Sequence, residues 1–174
     1  MSEEVESRGA AAAADVPRVA ASSYLNSAPV IWSFQHGARR GQVRLLTDAA
    51  PARCADMLAR GEAEIALVPV IEYQRLPEAL VVPGVCIGAR RAVRSVVLAT
   101  RRADLKDVRT VALDTSSRTS AVLVQIIFRE FLGRDIEARP RRPDLEAMLG
   151  ECDAALVIGD PAMTFRREGL RVYD

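Results

Sequence analysis

The chain has 174 residues, 49% hydrophobic and 27% charged, the proportions of an ordinary globular protein, which exclude a chain disordered throughout. Its 24 basic residues stand against 23 acidic ones for a net charge of +1, so no global field recruits nucleic acid or an anionic membrane. Cys54, Cys86 and Cys152 are far apart and form no CxxC, which argues against a disulfide framework or a thiolate zinc site and for a reducing compartment.

Residues 1–16 are acidic, alanine-rich and without periodicity, and are expected to form a loose, disordered extension. They lack the basic start of a signal peptide, and no apolar run is long enough to span a bilayer, so a cytoplasmic protein is expected. Residues 19–21 read as a buried strand that breaks into the polar turn Ser22, Ser23, Asn26, Ser27 and resumes as a helix. Asn26 or Ser27 is the expected N-cap, Pro29 a first-turn proline and Gly37 the stop. Residues 43–47 give a second strand. A helix follows over 50–60, with Cys54, Met57 and Leu58 inward, Arg53, Asp56 and Arg60 outward, and Gly61 at its end. Residues 65–69 form a third strand and 70–76 a turn of helix. This rhythm implies a parallel sheet with right-handed crossovers.

Residues 80–88 hold two brief apolar runs parted by the turn signal Pro83-Gly84, and 93–100 form a long β-branched strand. The charged stretch 101–109 marks the expected boundary, with a first α/β lobe over 17–98 and a second over 99–174. The second lobe reads as a strand at 110–113, a helix over 121–132 ending at Gly133, a strand at 136–139, a short helix at 144–149, and a buried strand at 154–158 that runs into Gly159-Asp160-Pro161. Two such lobes with polar turns at the carboxyl ends of their strands predict a cleft, since open α/β sheets bind ligands at that edge.

Four polar clusters fall at strand ends: residues 22–27, Ser95, residues 115–120 and Gly159-Asp160. Two of them open helices, where free N–H groups and hydroxyls suit a carboxylate or phosphate. The same residues also serve as plain helix caps. His36 is the sole histidine and reads as a helix C-terminal residue, so no histidine metal site is expected. Glu72 reads as an acid or base, or equally as a capping or surface group. Arg90, Arg91 and Arg94 read as a solvated face and Trp32 as core. No glycine-rich phosphate loop is present, and neither metal nor cofactor is expected.

The residues SYLNSAP at 23–29, GEAEIALVPVIEY at 61–73, VRSVVL at 93–98, ALDTSSRTSAVL at 112–123 and IGDPA at 158–162 resemble, in order and spacing, the chorismate dehydratases of the futalosine route to menaquinone. The resemblance covers most of residues 17–165. It implies a two-lobe fold similar to type II periplasmic solute-binding proteins, with a ligand cleft between the lobes. Chorismate is the implied small-molecule partner, converted to 3-[(1-carboxyvinyl)oxy]benzoate by loss of water. Arg91-Ala92 stands where relatives tend to have Gly-Pro. The family chain returns from the second lobe to complete the first, so a first sheet short of a strand is expected here, C-terminally incomplete, with an edge that a homodimer could cover.

On this reading Thr119 and Ser120, with the helix start behind them, hold one carboxylate. Ser23, Ser95 and Asn26 orient the rest, and Ser117 and Gly159 complete the binding set. Asn26 positions the substrate's enolpyruvyl carboxylate as the proton acceptor. Asp160 either acts on the departing hydroxyl or caps the turn before Pro161. A carboxylate-binding protein without turnover, or an inactive homologue, is the alternative.

Overall fold

The computed structural model describes residues 16–174; the expected extension falls almost wholly outside the described residues. β1 (Arg18–Ser22) runs between β2 (Arg44–Asp48) and β3 (Ile65–Ala66) in a three-stranded sheet, and both pairings are parallel. α1 (Ala28–Gln35) and α2 (Pro51–Ala59) make the crossovers, each with a proline in its first turn, where the missing N–H costs nothing. Ala20 and Cys54, both fully buried, meet Ala63 beneath Leu46, Met57 and Ala66. This is a small core of small side chains.

Most of the apolar burial lies in the second sheet, whose order is β6 (Glu137–Arg141), β5 (Thr110–Asp114), β7 (Ala154–Ile158), β4 (Val96–Thr100), β8 (Arg171–Tyr173). β7 is buried along its whole length, as a central strand covered on both faces must be. One face packs Val97, Ala155 and Val157 against Met148 and Leu149 of α4 (Leu145–Glu151). The other packs Val111, Leu113 and Leu156 against Val124 and Phe128. Val124 belongs to α3 (Thr119–Ile126), and Phe128 to the π-helical turn Ile127–Phe131 that continues it. Burying a ring such as that of Phe128 contributes about 2–3 kcal/mol.

The expected lobe boundary cuts through β4. That strand, assigned from sequence to the end of the first lobe, pairs with β7 and β8 and both pairings are antiparallel. The second sheet is therefore mixed, where a repeat of the first lobe's parallel plan was expected. The β-branched run announces a buried strand but carries no information about which strand it will lie beside. Among the described residues the chain passes between the sheets once, through residues 76–95, which contain no helix or strand. Leu80, Val81, Val82, Val85 and Ile87 in this crossing are exposed.

Two local expectations also change. Trp32 is 58% exposed and lies against His36 with ring centroids 4.6 Å apart and the planes tilted, because Ile31 is the one residue that α1 buries. Ser27 does occupy the N-cap of α1, yet its hydroxyl makes no capping bond. It is buried and bonded to Ser22 Oγ at 2.6 Å.

Candidate functional site

The turn after β1 meets the turn after β7. Gly159 adopts φ +71°, a backbone region open to glycine at little cost, and the ring of Tyr24 packs directly on its Cα side. Tyr24 Oη reaches Ser116 Oγ at 3.3 Å, and Ser116 Oγ donates to the buried Asp114 Oδ1 at 2.5 Å. Asp114 also accepts from Ser116 N at 2.8 Å and, through Oδ2, from Ile158 N at 3.1 Å. This buried carboxylate thus ties the turn after β5 to the end of β7 and aims Ser116 at the first lobe. Burial raises the Tyr24 phenol above its ordinary range, partly offset by its hydrogen bond to Ser116.

Beside this contact lies a cavity of about 210 Å³ lined by Leu25, Asn26, Val93, Ser95, Gly159, Asp160 and Met163. Asp160 opens α5 (Asp160–Thr164), and its Oδ1 accepts from Leu25 N at 3.3 Å, so the carboxylate spans from one lobe to the other. Gly159 N donates to Ser95 O at 2.7 Å, which fixes Ser95 beside the Gly159 turn. Asp174 takes the N–H groups of Val93 and Arg94 at 2.7 and 2.5 Å. Arg94 is held there at φ +63°, the one non-glycine residue with positive φ among the described residues. A side chain in that region is strained, and here the strain sits one residue from Ser95.

The cavity brings together Asn26, Ser95, Gly159 and Asp160 of the residues expected from sequence. It does not include Ser23, Ser117, Thr119 or Ser120. Ser23 is exposed and uses its N–H on Asp48 O at 2.8 Å. Ser117 is buried, its N–H bonded to Asp114 O at 3.0 Å. Thr119 and Ser120 do open α3, but Thr119 Oγ1 accepts from Ile71 N at 3.3 Å, facing the Val70–Arg75 turn of the first lobe. Leu25, Val93 and Met163, the apolar walls, carry no chemical signal in sequence. Nor does Arg118, whose guanidinium joins Glu72 and Asp56 of the first lobe at 2.8 and 2.7 Å. Glu72 is 4% exposed, so a solvated surface role does not fit it, and its carboxylate oxygens go to two arginines, Oε1 to Arg75 and Oε2 to Arg118. Asp56, expected to point away from the fold, is an interlobe ligand for Arg118. No group of three or more metal-ligating side chains occurs among the described residues, and no helix there is long and apolar enough to cross a membrane.

The fold is shared with solved structures. Protein AF1704 from Archaeoglobus fulgidus matches with TM-score 0.70 at 18% identity, over 90% of this chain and 58% of that one. The periplasmic aliphatic sulphonate binding protein SsuA from Escherichia coli matches with TM-score 0.58 at 17% identity, over 91% and 59%. YhfZ from Shigella flexneri gives 0.59 at 17%, over 91% and 70%. The architecture is that of the periplasmic-binding-protein-like α/β folds, and the chain spans about three-fifths of the length of AF1704 and SsuA. The model of the family described as menaquinone biosynthesis matches residues 17–174, nearly all that the structure describes, and the chain belongs to that family.

Proposed function

We propose that this chain carries the substrate cleft of a chorismate dehydratase, a hydro-lyase of menaquinone biosynthesis. The observation that supports the reading is the convergence of Asn26, Ser95, Gly159 and Asp160, expected from separate motifs, on one cavity where the lobes meet. Chorismate has two carboxylates and a ring hydroxyl. Asp160 is the carboxylate in this lining and repels anions, so the substrate's carboxylates face Asn26 and Ser95 and its C4 hydroxyl faces Asp160. Donors on the ring carboxylate stabilise the charge that develops as the C3 proton leaves. Asn26 orients the enolpyruvyl carboxylate to take that proton. The enolpyruvyl carboxylate then passes that proton to the C4 hydroxyl, which Asp160 orients by accepting its hydrogen bond; the C4–O bond breaks, water departs and the ring becomes aromatic. Holding the reacting groups in this geometry supplies about 7–11 kcal/mol in favourable cases, so no strong base from the protein is required.

The structure alters one part of the expected scheme. Thr119 Oγ1 is engaged by Ile71 N of the Val70–Arg75 turn, so carboxylate binding by Thr119 belongs to a state in which that contact has opened.

Incubation with chorismate, followed by ultraviolet spectra and chromatography, tests the reading. Appearance of 3-[(1-carboxyvinyl)oxy]benzoate supports it. Saturable binding without product makes the chain a carboxylate-binding protein, and absence of both overturns the proposal.

A further inference from the structure

We propose that Arg118 is a latch that holds the two lobes together. A single crossing without helix or strand joins the sheets among the described residues, so the position of one lobe on the other rests on non-covalent contacts. The other bonds that cross between elements of the two sheets are long. Tyr24 Oη to Ser116 Oγ, Leu25 N to Asp160 Oδ1 and Ile71 N to Thr119 Oγ1 are each 3.3 Å, and Ala52 N to Ser116 O is 3.4 Å. These are at the weak end of hydrogen-bond geometry.

Arg118 differs in both length and charge. From the N-cap of α3 it donates Nη1 to Glu72 Oε2 at 2.8 Å and Nη2 to Asp56 Oδ1 at 2.7 Å. These charge-assisted bonds are of the strong class, and one guanidinium thereby grips two first-lobe elements, α2 and the Val70–Arg75 turn. Burial sharpens the effect. Glu72 is 4% exposed, and its second cation, Arg75 at 3.2 Å, comes from its own turn and cannot bridge the lobes. When the lobes part, Glu72 gives up the shorter of its two arginine partners, and leaving a carboxylate short of its charge partner is costly. The latch therefore biases the two lobes towards closure. This holds whichever ligand the cleft takes.

The test is an interlobe distance by pulsed electron paramagnetic resonance on the chain without ligand. Spin labels are placed at Gln42→Cys and Glu130→Cys, exposed positions on separate lobes, in a Cys86→Ser background. The parent should give one narrow distribution. Arg118→Ala should give a broader one shifted to longer distance, and Glu72→Gln, which keeps shape and removes the charge, should shift it the same way. If Arg118→Ala fails to fold by circular dichroism, Glu72→Gln carries the test. A folded Glu72→Gln variant with the parental distribution overturns the latch, as does a parent that is already broad.

Discussion

The ring of Tyr24 fills the space where a side chain on Gly159 would begin: a Cβ there would lie 2.5 Å from both Cε2 and Cζ of the ring. With φ at +71° as well, Gly159→Ala meets a backbone penalty and a clash together. The expected loss is about 1–3 kcal/mol of stability, read as a lower urea midpoint. Because the same contact seats Leu25 and Asn26 against the Asp160 turn, ligand affinity should fall in the fraction that still folds.

Asn26 is exposed and makes little use of its own amide within the protein; its Oδ1 has one 3.5 Å contact with Ser27 Oγ. Asn26→Ala should therefore leave the unfolding midpoint near that of the parent while turnover of chorismate falls by about a hundredfold, the usual scale for a lost positioning contact. Unchanged turnover in the folded variant would remove Asn26 from the proposed chemistry.

Arg94 offers a comparison of backbone terms. A non-glycine residue in the left-handed region costs about 1–2 kcal/mol, and glycine returns about 0.5–1 kcal/mol of that through the entropy of its unfolded chain. Arg94→Gly should be close to neutral, whereas Arg94→Val, β-branched, should lose about 1–3 kcal/mol. Denaturant titration of the two variants side by side measures the difference. If Asp174 holds this turn for the cavity, Asp174→Ala should weaken ligand binding, and Arg94→Gly in the same chain should restore part of it.

How much of this was legible beforehand follows from the range of each interaction. As far as β7 the order of strands and helices is written in local alternation and in stops such as Gly61 and Gly133, both at positive φ, so it could be read residue by residue; the short α5 and β8 that follow were not anticipated. The meeting of Asn26, Ser95, Gly159 and Asp160 was readable because each sits at a strand or helix end on the sheet edge where α/β clefts form. The partner of β4 was not readable, since an apolar strand encodes burial and leaves its neighbour open. The Arg118–Glu72 pair lies 46 residues apart in sequence, and nothing local marks either residue for the other. Hydroxyls at a helix start are similarly mute about direction, which is why Ser117, Thr119 and Ser120 were placed in the cleft while Thr119 faces the other lobe instead.

Acid should act on the second lobe through Asp153. Burial pushes its carboxyl up, but hydrogen bonds from Arg109 N, the Arg102 side chain, and the N–H and hydroxyl of Thr110 outweigh this and hold it at about 2, against an ordinary 3.8. The folded value is the lower one. Its stabilisation is therefore complete above 3.8 and fades as pH falls towards 2. Asp153→Asn should lower stability at neutral pH and flatten the acid limb of a midpoint-against-pH curve. A parallel curve with the parental acid limb would show that other carboxylates govern that limb.

Cysteine chemistry should single out one thiol. Cys54 and Cys152 are buried and Cys86 is exposed, and burial, helped by the charge of Asp48, pushes Cys54 up to about 11. At pH 8 iodoacetamide should modify Cys86 in the native chain and reach Cys54 only on unfolding, as peptide mass mapping will report.

The bare crossing over residues 76–95 also makes the molecule divisible. A protease cutting once between Pro83 and Arg91 severs no ladder and no helix, so each product keeps its own sheet whole. Leu25 and Asn26 would then travel on one polypeptide, and Ser95, Gly159, Asp160 and Met163 on the other. The cleft would become an intermolecular property, present only while the two pieces meet, and a bound ligand would act as the adhesive that reassembles them.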